Sequence, residues 1–142
     1  MSVIEFFCPC NIEPKQGDRV RIASNKAGKR FAMHYTPAKV KKNAGNLAAI
    51  VAPHRPIEPL QGPLGLAVTF QYPWRSGTSQ KARLAESAPK DTKPDIDNLM
   101  KQISDVLQAT GFIVNDSQFA DVTLKKIWTA TPGVHVRIET LA

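Results

Sequence analysis

Pro94-Asp95-Ile96-Asp97-Asn98-Leu99-Met100-Lys101-Gln102-Ile103-Ser104-Asp105-Val106-Leu107-Gln108-Ala109-Thr110-Gly111 is the most strongly patterned stretch of the chain. Ile96, Leu99, Met100, Ile103, Val106 and Leu107 recur at three- and four-residue steps. At about 100° per residue they fall within an arc of roughly 120°, which is a helix with one buried stripe. Gly111 closes it as the residue after the C-cap, where a left-handed backbone favours glycine. Downstream, Phe112 to Val114 is a short apolar run, read as a short strand, that ends at the turn formers Asn115 and Asp116. Ala120, Val122, Leu124 and Trp128 then alternate as a strand. After the Thr131-Pro132-Gly133 turn a last strand turns Val134, Val136 and Ile138 inward and His135, Arg137 and Glu139 outward.

Upstream of this helix, residues 73–94 carry Gly, Ser, Thr, Pro and charge without a sustained apolar pattern, and read as a mobile basic loop. Leu64, Leu66, Val68, Phe70 and Tyr72 alternate with smaller or polar residues, a strand with one core face. Thr36-Pro37 supplies an N-cap and a first-turn proline, so a helix is expected from there, with Val40, Ala44, Leu47, Ala48 and Val51 on its buried stripe. Pro53, Pro56 and Pro59 end it. Residues 11–36 read as a long basic connection, and Val3 to Phe7 as a short core strand. The order β, α, β, α, β, β predicts an α+β fold, a mixed β-sheet backed by two main helices. A chain of 142 residues fits one such domain, residues 1–142.

Apolar residues are 42% of the chain and charged ones 22%, enough of each for a globular fold, and the net charge is +7. Nearly half of the 19 cations lie between Lys15 and Lys42, against the single acid Asp18. That balance favours a polyanionic partner, DNA, RNA or an anionic surface. No run approaches the roughly 20 apolar residues that span a bilayer, and the N-terminus lacks the layout of a signal peptide, so the expected location is the cytoplasm. Cys8 and Cys10 flank Pro9, and His34, His54 and His135 are not spaced to complete a zinc site with them. Two reduced thiols at a strand end is the simpler reading.

The chemistry-bearing residues cluster around the patterned helix. Asp95 suits an N-cap at the positive end of the helix dipole. Asp97, opposite the apolar stripe, could pair with Lys101 four residues on, a contact worth a few tenths of a kcal/mol. A D-x-D pair alone therefore has an ordinary structural explanation. Asp116 adds a third carboxylate, which chain return is expected to bring near the helix N-terminus. Three carboxylates in a cation-rich protein repel one another unless a divalent cation bridges them, and oxygen-only ligands suit Mg²⁺, with Mn²⁺ able to substitute. Such an ion polarises a phosphoryl oxygen and activates water, the chemistry of phosphodiester hydrolysis. Lys101 would stabilise charge developing on the phosphate.

Asp95-Ile96-Asp97-Asn98-Leu99-x-Lys101, followed by Gly111-Phe112-x-x-Asn115-Asp116-x-Gln118, resembles the signature of the RusA family of Holliday-junction resolvases. A looser match covers Pro14-Lys15-x-x-x-Arg19-x-Arg21 and Tyr35-Thr36-Pro37. The resemblance implies catalytic and metal-binding aspartates at Asp95, Asp97 and Asp116 and a catalytic lysine at Lys101. It also implies a homodimer that binds four-way DNA junctions and, with Mg²⁺ or Mn²⁺, nicks opposing strands symmetrically in DNA recombination and repair. Such proteins are often encoded by phages or prophages, which implies a bacterial cytoplasm. Lys15, Arg19, Arg21, Lys26, Lys29, Arg30, Arg75, Lys81 and Arg83 are the expected DNA contacts. The chain departs from the family in carrying Asn115 where a second acid is common, and in a longer stretch from Arg75 to Asp91. Two other readings remain: a non-catalytic DNA- or RNA-binding protein using the same basic segments, and a flap- or fork-selective nuclease of the same fold.

Overall fold

The computed structural model describes residues 2–12, 19–24, 30–35 and 47–141, the two short central segments by their backbone alone. Its main body is a five-stranded sheet in the order β1-β7-β4-β6-β5, built from β1 (Val3–Pro9), β4 (Leu64–Pro73), β5 (Ser87–Pro89), β6 (Phe119–Thr129) and β7 (Gly133–Thr140). A separate antiparallel pair, β2 (Arg19–Ser24) and β3 (Arg30–Tyr35), runs in register from Arg19 opposite Tyr35 to Ser24 opposite Arg30. The helices are α1, of which residues 47–51 are described, the short α2 (Gln80–Arg83) and α3 (Ile96–Ala109). The fold is α+β, a mixed sheet with helices, as the element order predicts. Among the described residues no helix is long and apolar enough to cross a membrane.

Alternation along the strands decides which face is covered. Leu64, Leu66, Val68, Phe70 and Tyr72 of β4 are buried, as are Val134, Val136 and Ile138 of β7 and Phe6 and Cys8 of β1. They meet Leu99, Ile103, Val106 and Leu107 of α3, Leu47 and Val51 of α1, and Phe112 and Ile113 in one core. Each fully buried Leu, Ile or Phe contributes about 1.5–3 kcal/mol, so this face dominates the stability. The opposite face is polar: Glu5 on β1 sits opposite Arg137 on β7, lies 3.7 Å from it and 3.5 Å from His135. These pairs are about half exposed and therefore worth little.

β4 and β6 are parallel, whereas every other pairing in the large sheet is antiparallel. A parallel pair needs a crossover, and the segment containing α3 supplies it. Its C-terminus is a Schellman closure: the Phe112 amide donates to the Leu107 carbonyl at 3.0 Å and the Gly111 amide to the Gln108 carbonyl at 3.3 Å. Gly111 has φ +88°, as the sequence requires of it.

Four expectations need correction. Residues 11–36 are not only a connection, because they contain the β2–β3 pair. Residues 73–94 contain α2, capped by the Ser79 hydroxyl, and β5, which pairs with β6. Phe112 to Val114 is not a strand: Ile113 forms a lone parallel bridge with Leu60. Ile96, placed on the apolar stripe, is 41% exposed. The expected helix start at Thr36-Pro37 lies outside the described residues.

Candidate active site

Asp95 occupies the N-cap position of α3 with extended backbone angles, and its carbonyl accepts from the Leu99 amide at 3.2 Å. Its side chain makes no capping hydrogen bond. The carboxylate is therefore not used by the local role that would otherwise explain it. Asp97 is exposed in the first turn. No ion-pair partner lies within reach of Asp95, Asp97 or Lys101 among the described residues, so the Asp97–Lys101 pair does not form. Two solvent-facing carboxylates thus stand at the positive end of a 14-residue helix, where the dipole favours anions. Lys101 is exposed one turn further along.

Behind the aspartates lies a brace that sequence reasoning missed. Lys126 on β6 donates from Nζ to the Thr92 carbonyl at 2.7 Å and to the Pro94 carbonyl at 2.8 Å. Lys90 is buried, and its Nζ donates to Thr92 Oγ1 at 2.7 Å. That ammonium sits 3.9 Å from the centre of the Trp128 ring and 5.0 Å from that of Tyr72. Burial pushes the Lys90 ammonium below the usual lysine range, the Lys126 and Arg75 charges push the same way, and Asp91 opposes them. The ring contacts offset part of the lost hydration. One signal for Lys126 was legible: it shares the parity of Leu124 and Trp128, a cation in the inward register of its strand.

Asp116 begins a one-turn 3-10 helix, Asp116–Gln118, capped by Asn115, whose Oδ1 accepts from the Ser117 amide at 2.9 Å. Gln118 locks this turn. Its Oε1 accepts from the Val114 and Asn115 amides, and its Nε2 donates to the Leu60 and Gly62 carbonyls. The Asp116 amide donates to Gln108 Oε1 at 3.2 Å. Gln108 stands in the last turn of α3, and at about 1.5 Å per residue its Cα is roughly 16 Å along the axis from that of Asp97. Asp116 therefore lies beside the C-terminal part of the helix, not near its N-terminus as expected. Five residues from Gly111 could have covered the distance if extended, but the Schellman closure and the Gln118 turn fold them locally.

Among the described residues no three Asp, Glu, His or Cys side chains converge to hold a metal ion. Asp95 and Asp97 have the chemistry for a hard divalent cation, exposed oxygen donors with no ion-pair partner among the described residues. Asp116 does not join them within one chain, so the expected three-carboxylate set is divided between the two ends of α3.

The remaining predicted contacts are spread more widely. Arg75 is exposed and holds its guanidinium 5.0 Å from the centre of the Trp128 ring, on the same side chain that carries Lys90. Lys81 and Arg83 are exposed on α2. Arg19, Arg21 and Arg30 belong to the β2–β3 pair by their backbone. Lys15, Lys26 and Lys29 lie outside the described residues. A small open depression of about 100 Å³ on the polar sheet face, lined by Gly65, Ala67, Asp121, Thr123, Arg137 and Glu139, includes none of the predicted site residues.

Comparison with known proteins bears on this arrangement as a whole. The family model for endodeoxyribonuclease RusA matches residues 11–139, a span that includes both aspartate groups, Lys101 and the β2–β3 pair. A protein of Bacillus subtilis (strain 168) described as uncharacterized protein YqaN is 32% identical over 107 residues, covering 72% of this chain and 75% of its own length. With the match extending over nearly the whole chain and the α+β fold in agreement, the chain belongs to the RusA family of endodeoxyribonucleases.

Proposed function

We propose that the protein is a Mg²⁺-dependent endonuclease that resolves four-way DNA junctions by paired, symmetric nicks, with Asp95, Asp97, Asp116 and Lys101 as its catalytic residues. The observation that carries this reading is the pair of exposed carboxylates of Asp95 and Asp97 at the head of α3, without ion-pair partners among the described residues, in a chain whose family cuts DNA. A protein that only bound DNA would gain nothing from presenting two bare carboxylates, since they repel phosphate.

The division of the aspartates along α3 favours a site assembled between two copies: Asp95 and Asp97 from one protomer, Asp116 from the other. A two-fold symmetric pair makes two such sites, matching the two opposed cuts that a junction requires. A divalent cation bound there would supply Lewis-acid stabilisation of the scissile phosphate and a more acidic water, and Mn²⁺ would substitute for Mg²⁺. The chain's own part is to hold the carboxylates in place and to present Lys101 to the charge that develops on phosphate oxygens. The basic segment around Lys15, Arg19, Arg21, Lys26, Lys29 and Arg30, together with Arg75, Lys81 and Arg83, would track the backbone of the arms, with binding that weakens steeply as salt rises. The setting is a bacterial cytoplasm in which recombination or repair produces branched DNA.

The test uses a synthetic four-way junction with duplex, flap and fork controls. The wild type with Mg²⁺ or Mn²⁺ is expected to cut the junction at symmetric positions, and Asp97→Asn to bind it with near-normal affinity while cutting at least a hundredfold more slowly, about 2.7 kcal/mol of transition-state stabilisation. Robust cutting by Asp97→Asn would overturn the assignment. Preference for flaps or forks would redirect it to that substrate.

A further inference from the structure

The Lys126–Lys90 brace holds the segment that leads into Asp95. Lys126 ties two carbonyls, those of Thr92 and Pro94, at 2.7 and 2.8 Å; the second belongs to the residue immediately before Asp95. Lys90 holds the same segment through Thr92 Oγ1 at 2.7 Å, and its amide donates to the Lys126 carbonyl at 3.0 Å. Among the described residues neither ammonium has a carboxylate within ion-pair distance. An ammonium offers three donors and can serve two converging carbonyls at once. The result is a fixed, positively charged anchor beneath the turn that delivers Asp95, whose own side chain does nothing to hold that turn.

We infer that Lys126, supported by Lys90, is a positioning residue for Asp95. It fixes the carboxylate's approach angle and places positive charge behind it, without touching substrate. This rests on the nuclease reading above and goes beyond it, because neither lysine belongs to the catalytic set. Residues that orient a ligand from behind affect activity or metal affinity by about 10- to 100-fold when removed, and that range separates the role from simple stabilisation.

The experiment compares wild type, Lys126→Met and Lys126→Arg in three measurements: junction cleavage against Mg²⁺ concentration, metal-free junction binding, and backbone hydrogen exchange. Lys126→Met should cut about 10- to 100-fold more slowly and require several-fold more Mg²⁺ for half-maximal rate. Its junction affinity should stay within about twofold of wild type. Exchange should rise in residues 92–98 and remain at wild-type levels in β4 and β7. Lys126→Arg, which keeps charge and donors, should recover most of the rate. An unchanged Mg²⁺ requirement with unchanged exchange in residues 92–98 would overturn the inference, as would a rate loss accompanied by faster exchange throughout β4 and β7. If Lys126→Met does not fold, Lys90→Met, which removes only the bond to Thr92 and the ring contacts, carries the same readouts. If the wild type cuts no branched DNA the nuclease reading fails separately, and exchange in residues 92–98 alone decides whether the brace holds the turn.

Discussion

Cys8 shows how position overrides residue type. Its thiol is 1% exposed and donates to the Ile50 carbonyl at 3.8 Å, joining β1 to α1. Burial, with a smaller contribution from Cys10, pushes its pKa up to about 11, and burial raises that of Cys10 as well. The thiolate is the reactive form, so neither cysteine should be modified quickly by iodoacetamide at pH 8 while the protein is folded, and both should react promptly in urea. The linkage follows the same shift. Below the ordinary thiol value both folded and unfolded chains keep Cys8 protonated and pH has no effect through it. As pH rises from there through about 11, the unfolded chain ionises first and stability is lost. Lys90 shifts downward and acts in the opposite sense over a similar range, so the thiol is isolated by difference: the stability of wild type relative to Cys8→Ala should shrink between pH 8 and 10.5 in urea titrations. A difference that stays constant or grows would show that the thiol ionises freely in the folded state.

At the level of elements, α3 was legible because a 3.6-residue pattern sustained over 14 residues has few alternatives, and its stop was legible because Gly111 alone tolerates the left-handed turn. Nothing lies within 4 Å of where a Cβ at Gly111 would sit, so Gly111→Ala tests the backbone strain alone. It should cost about 1 kcal/mol and lower the thermal midpoint by roughly 3 °C. A neutral outcome would mean the closure adjusts without strain. Other elements were hidden for physical reasons. β2 and β3 carry genuine alternation, Val20 and Ile22 between Arg19, Arg21 and Ala23, then Phe31, Met33 and Tyr35, but each run is only six residues and sits among cations and glycines that read as loop. β5 is three residues long and holds its place through β6. Phe112 and Ile113 are apolar because they are buried beneath the end of α3, and burial alone cannot distinguish a strand from a buried turn.

For the whole molecule, the aspartates were legible as a motif but their spatial relation was not. The motif fixes residues 95, 97 and 116 along the chain, whereas the bonds from Gln118 to the Leu60 and Gly62 carbonyls and from the Asp116 amide to Gln108 hold Asp116 where it lies beside α3, and the spacing of the motif does not contain them. Lys90 and Lys126 were missed for the same reason, since a brace exists only once β5 and β6 pair. A divided site makes a prediction that a site contained in one chain does not. Asp97→Asn and Asp116→Asn should each be inactive alone. In a mixed dimer one shared site would receive both defects while the other would combine the intact Asp95 and Asp97 of one protomer with the intact Asp116 of its partner. Random exchange would restore about one quarter of wild-type sites. Because each mixed dimer has one working site, it should nick a single strand of the four-way junction rather than resolve it, which denaturing and native gels distinguish. If mixing restores no nicking although subunit exchange is demonstrated, Asp116 must act within its own chain, and α3 or the turn at Asn115 would have to rearrange on binding DNA.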